Sequence, residues 1–566
     1  MRFLALATDY DGTLAHHGAV DQPTVGALER MRASGRKLIM VTGRELPELL
    51  GIFPEIHLFD WVVAENGALL YEPRSQKMKL LGETPPPAFA KLLKERGVDR
   101  VSIGHIIVAT WEPFETTVLE AIRDLGLELQ VIFNKGAVMV LPAGVNKASG
   151  LAAALAEMGL SPHNVVGVGD AENDHAFLNC CGCSVAVQNA IPSLKDRADL
   201  VMAADHGAGV RELIDSMIKD DLAAVDGRLL RMQVVLGRAD GHEMKISPYA
   251  PGMLVAGPTG SGRSAFTVGF LERLHSIGYQ FCVLDTRGAY AGLEGAVAVG
   301  TPQQSAPVAE VLELLAKPDQ SVVVNLSGLR LEERQAFFQA FSANVEELRA
   351  RTSRPHWMVL DDAQQLLPAA QTAGERSSFA QLERTLVVCD SPGALDPGAV
   401  AAVGAVVALG PQAREIAGDF CKERGAAPIL PASMADGGAI VWGIGRDEPP
   451  QSIEIIPGRT ERRRRRQAAL EGDLGRDRSF YFRGKEAKLN LRAQNLLLFM
   501  QMAEGVDEET WLYHLHLGDY SRWLRDVVHD SQLAAAIAPI EEEQETSADD
   551  SRLRVRQAIE QEYAAG

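Results

Sequence analysis

Two carboxylates set two positions apart, Asp9 and Asp11, follow the apolar run Phe3–Ala7 and define the chemistry open to this chain. A buried strand ending this way delivers both into the crevice at the carboxyl edge of a parallel sheet, where open α/β sheets bind ligands. Gly12 permits a sharp turn, and its amide, with that of Thr13, is predicted to face an anion. Paired carboxylates there suit a metal ion, a nucleophile and a proton-transfer partner. Asp-Tyr-Asp-Gly-Thr by itself also fits a helix-capping turn, so its companions decide.

Three companions follow in order. The apolar stretch Lys37–Val41 ends in Thr42-Gly43-Arg44, a hydroxyl and a loop for a phosphoryl oxygen. Asn146-Lys147 opens a helical pattern, Ala148 to Met158, and offers a fixed ammonium. Val165–Val168 leads into Gly169-Asp170-Ala171-Glu172-Asn173-Asp174, whose acids complete an oxygen-ligated site that favours Mg²⁺.

With these four motifs, residues 1–215 resemble the Cof-type haloacid dehalogenase-like phosphatases, the branch that includes sugar-phosphate phosphatases. Glu65-Asn66-Gly67-Ala68 and Val185–Ala190 belong to the same likeness. The resemblance implies that Asp9 is the nucleophile forming an aspartyl-phosphate and Asp11 the general acid, then base. It implies that Thr42 and Lys147 hold the phosphoryl group, beside the Gly12, Thr13 and Gly43 loops. Asp9, Asp170 and the Asp11 carbonyl would bind Mg²⁺, with Asp174 and Asn173 supporting the metal end and Arg44 the second motif. Phosphoryl transfer needs mostly positioning and charge neutralisation, which this set supplies. Passing the phosphoryl group to a sugar instead of water would make a phosphotransferase or phosphomutase.

These motifs need elements to hold them, and the chain has room. Its 566 residues exceed one hydrophobic core, so an α/β multidomain protein is expected. Residues 1–220 are assigned to the phosphatase-like Rossmann-type sheet, 221–460 to a second α/β domain and 461–566 to a helical domain. Between Thr42 and Lys147 lies an α/β insert of about 82–141, opened by Pro85-Pro86-Pro87. Its pattern predicts a helix to Arg96, a strand near Val101–Thr110, a helix near Phe114–Leu125 and two closing strands. A cap there excludes water and reads the leaving group. Its polar residues Glu112, Asn134 and Lys135 cannot be told from ordinary surface positions.

Composition excludes several classes. No apolar run approaches the ~20 residues of a membrane span, and Asp9 and Asp11 interrupt the N-terminal one, which argues against a signal peptide. Ala399–Gly410, short and glycine-interrupted, is expected as a buried strand. Six cysteines make no disulfide framework, and Cys180-Cys181-Gly182-Cys183 lacks the second pair of a zinc site. A cytoplasmic protein is expected. The net charge of -19 argues against nucleic acid as a partner. Arg462–Arg466 reads as a solvated linking helix and Glu541–Glu545 as a disordered hinge. A small phosphorylated substrate is the expected partner, and oligomerisation stays open.

Beyond Asp221, Gly252–Ala256 leads to Gly257-Pro258-Thr259-Gly260-Ser261-Gly262-Arg263-Ser264, a strand, glycine-rich loop and helix start laid out as a phosphate cradle. A strand over Gln280–Leu284 would complete a βαβ unit, and His356–Leu360 ends in Asp361-Asp362. Residues 221–458 resemble the HerA/FtsK-type P-loop ATPases, which makes ATP a candidate ligand. The resemblance departs at four places: Arg263 stands for Lys, Asp362 for Glu, Ala363-Gln364-Gln365 lacks the histidine often found there, and Arg287 stands where an acid is common. Arg is planar and longer than Lys and demands a fork partner. Nucleotide binding or a structural role is therefore favoured over a motor. The last segment predicts helices over Leu491–Ala503, Glu508–Leu517 and Tyr520–Val528, with Trp511, Tyr520 and Trp523 as core aromatics.

Overall fold

The computed structural model describes residues 1–369, 382–423, 430–431, 437–443, 449–460, 469–528, 530–543 and 545–564. The chain divides into two compact units, residues 1–263 with 273–454, and residues 264–272 with 455–566.

In the first unit the N-terminal strands are β1 (Ala5–Thr8), β2 (Lys37–Val41), β3 (Trp61–Ala64), β4 (Leu69–Glu72) and β5 (Lys77–Leu80). The insert supplies β6 (Ser102–Ile103), β7 (Val108–Trp111), β8 (Leu129–Asn134) and β9 (Ala137–Pro142). The sheet resumes with β10 (Val165–Gly169), β11 (Cys183–Ala186) and β12 (Leu200–Val201). Its order is β12-β11-β10-β1-β2-β3-β4-β5, parallel as far as β3 and antiparallel beyond. Strand order reverses around β1 and β10, and Asp9 and Asp170 follow those two strands at this switch point, where α/β folds place ligands. Ala5, Leu6, Val166 and Val168 are fully buried, each larger side chain contributing about 1.5–3 kcal/mol of burial.

The insert forms its own sheet, β6-β7-β9-β8, with helices Pro87–Glu95 and Glu115–Asp124 packed on it. The single strand expected near Val101–Thr110 is two short strands, because Gly104 and Ile107 close a turn between them.

The second sheet adds β13 (Val234–Ala239), β14 (His242–Ile246), β15 (Met253–Ala256), β16 (Phe281–Asp285), β17 (Ala296–Val299) and β18 (Ser321–Asn325). It continues with β19 (Trp357–Leu360), β20 (Thr385–Cys389), β21 (Ala405–Leu409), β22 (Gly438–Trp442) and β23 (Gln451–Ile455). The order among described residues is β14-β13-β23-β22-β21-β15-β20-β19-β16-β18-β17. β15 and β16 are therefore not the neighbours of a simple βαβ unit: β20 and β19 lie between them. The stretch Ala399–Gly410 divides into a helix end (Pro397–Ala402, capped by Asp396) and β21.

The second unit is mainly helical, with a hairpin of Phe480–Phe482 and Leu491–Ala493. The helix expected from Leu491 starts at Leu496 instead, because Asn495 caps it and the preceding residues pair as a strand. Tyr520–Val528 combines an α-helical turn, Asp519–Trp523, with a wider helical turn, Leu524–Val528. Trp511, Tyr520 and Trp523 are buried, as expected of core aromatics. Glu541 is no hinge residue: it closes the helix Ser531–Glu542 and accepts hydrogen bonds from the Tyr520 and Ser521 amides. The arginine run 462–466 lies outside the described residues. Among the described residues no helix is long and apolar enough to cross a membrane.

Gly150 lets the helix Lys147–Met158 approach the Gly67 backbone, since a Cβ there would fall 2.6 Å from Gly67 Cα. Gly150→Ala should lower stability by about 1–3 kcal/mol through overpacking, read as an earlier first transition on urea unfolding.

Candidate functional site

Asp9 leaves β1 with its amide bonded to the Val168 carbonyl at 3.0 Å, so its position is fixed by the β1–β10 pairing. Lys147, first residue of its helix, is held by the Asn146 capping box and is almost fully buried. Its ammonium lies 2.6 Å from Asp9 Oδ1 and 2.6 Å from Asp174 Oδ1. Asp174 Oδ2 in turn accepts the amides of Asp170 and Ala171. Thr13 donates its hydroxyl to Asp170 Oδ1 at 3.1 Å, and Asn173 bonds Asn66 at 2.9 Å.

Oxygens of Asp9, Asp170 and Asp174 lie within 4.8 Å of one another and all three side chains are buried. Burial pushes the Asp9 carboxyl up to about 7, with Asp174 and Asp170 adding to the rise and Lys147 opposing it. Burial would lower Lys147, but Asp174 and Asp9 outweigh it and hold the ammonium charged. Burial also raises Asp170, against the pull of Lys135. One buried ammonium facing three carboxylates leaves a deficit of positive charge, and hard carboxylate oxygens are the donors a Mg²⁺ ion takes.

After β2, Thr42 is buried, its amide bonded to Val63 and its hydroxyl accepting the Arg44 amide. Gly43 brings the loop beside Asn173, since a Cβ there would lie 3.9 Å from its side-chain nitrogen. Arg44 forks onto Asp11 with contacts of 2.6 and 2.7 Å and also pairs with Glu48. Asp11 thus faces the cleft paired to Arg44, away from the Lys147 cluster. Gly12, at φ +88, makes the expected turn, but its amide is turned to the Ala15 carbonyl and away from any anion.

Two residues escaped the sequence as site residues. Lys135, at the tip of the β8–β9 hairpin, places its ammonium 2.6 Å from Asp170 Oδ2 and 3.2 Å from the Asp11 carbonyl. Glu65 is fully buried and accepts amides of His105, Ile106 and Ile107, tying the insert to the core. Neither type nor spacing marks these out, because each contact joins the insert to a core residue far away in the chain. Core and insert enclose a cleft of about 660 Å³ lined by Asp9, Asp11, Arg44, Arg100, Trp111 and Lys135.

The carboxyl edge of the second sheet is arranged differently. The loop Gly257–Gly262 turns through Gly260 (φ +84) and Gly262 (φ +99) into the helix Arg263–Ser276, of which Ser264 is the second residue. Arg263 is buried and pairs with Asp390, beyond β20, at 2.5 Å. Arg287 lies 3.2 Å from Asp361 and 3.1 Å from Asp362, so a guanidinium spans the acidic pair. Burial pushes Asp361 up to about 6, with Arg287 the main opposing influence. The cysteines are free, Cys181 and Cys183 buried and Cys180 exposed.

A family model described as haloacid dehalogenase-like hydrolase matches residues 6–96 and 110–214. Phosphoglycolate phosphatase of Methanothermobacter thermautotrophicus is 34% identical over 218 residues, 37% of this chain and 96% of the relative. Phosphoglycolate phosphatase 2 of Saccharolobus solfataricus is 28% identical over 219 residues, 38% of this chain and 92% of its own. A solved haloacid dehalogenase-like hydrolase from Bacteroides thetaiotaomicron aligns with 38% of this chain and 99% of its own, at 19% identity and a TM-score of 0.34.

Removing the Lys147 charge should leave buried carboxylates uncompensated. Lys147→Met is expected to cost about 3–5 kcal/mol at neutral pH by urea unfolding. With the ammonium gone the Asp9 carboxyl, already raised by burial, rises further above its unfolded value. The deficit should therefore shrink as pH falls towards about 5, where Asp9 is protonated.

Proposed function

The chain belongs to the haloacid dehalogenase-like hydrolases through its N-terminal part, and on that premise we propose that it is a Mg²⁺-dependent phosphomonoesterase working through an aspartyl-phosphate on Asp9. The observation that carries this is the Asp9–Lys147–Asp174 cluster with Asp170 at the switch point of the sheet. Asp9, Asp170 and the Asp11 carbonyl would hold the metal, with Asp174 and Asn173 behind them. Bound there, a divalent cation neutralises phosphoryl oxygens and so lowers the barrier to attack.

Asp9 supplies the attacking oxygen, and the bond from phosphorus to the leaving oxygen breaks as Asp11 protonates that oxygen. Asp11 must first turn from Arg44, which donates to both of its carboxyl oxygens in this structure, and take up the proton that it delivers. Asp11 then takes a proton from water, which attacks the aspartyl-phosphate and releases phosphate. Lys147 and the Thr42 hydroxyl hold the transferring group, with the Thr13 and Gly43 backbone alongside. A small phosphorylated acid or sugar is the substrate in this reading: the relatives' names favour the acid, and Arg44, Arg100 and Lys135 supply cations to the cleft.

We take residues 1–220, 221–460 and 461–566 as the three domains. The middle one is proposed as a P-loop-like fold that is structural or binds nucleotide without turning it over. Arg263 held by Asp390, and Arg287 across Asp361 and Asp362, support that assignment.

Asp9→Asn should abolish turnover of an aryl phosphate while circular dichroism stays unchanged. Chelator should stop the unmodified protein, Mg²⁺ restore it, and Ca²⁺ inhibit, because its looser coordination draws both Asp9 oxygens onto the metal. Full activity in excess chelator would refute the assignment.

ATP turnover by the full chain should stay at background. A rate that survives Asp9→Asn and disappears with Ser264→Ala would instead make the second sheet an ATPase.

A further inference from the structure

We propose that the Lys135 ammonium and the metal ion are alternative occupants of one position, so that metal loading releases the cap hairpin from the catalytic cluster. The inference rests on the metal-dependent reading above and concerns what the cap does before substrate arrives.

Lys135 is no loose surface lysine. β8 and β9 pair up to Asn134 and Ala137, leaving Lys135 and Gly136 as a two-residue turn. Both have positive φ, 49° and 84°, the conformation that matches the twist of paired strands. This defined turn presents the Lys135 side chain towards the core. There the ammonium contacts Asp170 Oδ2 and the Asp11 carbonyl, two of the oxygens assigned to the metal, and lies in the field of Asp9 and Asp174. Gly12 makes room for it, since a Cβ at that position would stand 2.6 Å from Lys135 Nζ.

Asp170 is buried whereas Lys135 is about half exposed. The carboxylate therefore stays in place and the lysine has water to retreat into. Two cations on the same pair of oxygens repel, and a divalent ion neutralises the three-carboxylate cluster more fully than one ammonium. Without metal, Lys135 compensates the buried carboxylates and pins the hairpin over Asp9. With metal, the hairpin loses its polar anchor and the cleft opens to substrate. Binding is thereby ordered, metal first.

The test is calorimetric titration of the chelator-stripped full chain with MgCl₂ alone, on wild type, Lys135→Asn and Lys135→Arg. Asn tolerates the positive φ of this turn, which keeps the hairpin intact. Lys135→Asn should bind Mg²⁺ roughly fivefold more tightly, the scale of a partly exposed ion pair removed from competition. Lys135→Arg should keep the wild-type affinity. Amide exchange over residues 129–142 should accelerate on adding Mg²⁺ to wild type and be fast with or without it in Lys135→Asn. Unchanged or weaker Mg²⁺ binding by Lys135→Asn, or hairpin exchange indifferent to Mg²⁺ in wild type, would overturn the proposal while leaving the phosphatase reading in place. If neither wild type nor Lys135→Asn bound Mg²⁺, the metal-dependent reading would fall and this one with it.

Discussion

A buried ammonium, Lys147, holds the carboxyl edge of the first sheet together. It sits between Asp9 and Asp174 at 2.6 Å from each, in a place where neither an isolated charge nor a bare carboxylate pair is tolerable. Everything around it serves that contact. The capping box of Asn146 fixes the start of its helix. Gly150 lets the helix come close to the turn after β3. The β1–β10 register brings Asp9 and the Asp170 loop to the same height. The cluster nevertheless carries more negative than positive charge, and that surplus makes it a site for a cation.

The inserted cap answers to the same surplus. Two of the charged links that join it to the core differ in kind. Buried Glu65 accepts three amides from the loop between β6 and β7, and Lys135 enters the acidic cluster from the β8–β9 turn. The first link is shielded from water and has no competitor, so it acts as a fixed attachment. The second is half exposed and rests on oxygens that a divalent ion would also claim. One anchor is permanent and the other exchangeable, which allows a lid to stay attached while it moves.

The carboxyl edge of the second sheet pairs its charges internally. Its glycine loop and acidic strand end lie on the same carboxyl edge, with β20 between β15 and β19. Guanidinium groups are engaged by acids at both: Arg263 by Asp390, and Arg287 across Asp361 and Asp362. An arginine needs a planar partner and finds one in each case, which lysine in the same position would not require.

The sequence by itself determined which residues stand at the carboxyl edge of the first sheet. A short apolar run can only be a buried strand, and polar residues directly after it must emerge at the sheet edge, so Asp9, Thr42 and Asp170 were legible from their positions alone. Lys147 was legible from its cap, and the core role of Trp511, Tyr520 and Trp523 from helical spacing. Local rules failed where two signals compete over a few residues, as at Leu491–Ala493, where a strand partner and the Asn495 cap override helix propensity. They also failed where the turn consumes a group, as with the Gly12 amide. Only the tertiary structure decided that Lys135 enters the acidic cluster, that Glu65 tethers the cap, that Arg287 spans two aspartates and that β19 and β20 separate β15 from β16. Each of these depends on strand register and side-chain reach between segments far apart in the chain, and distance along the sequence carries no record of either.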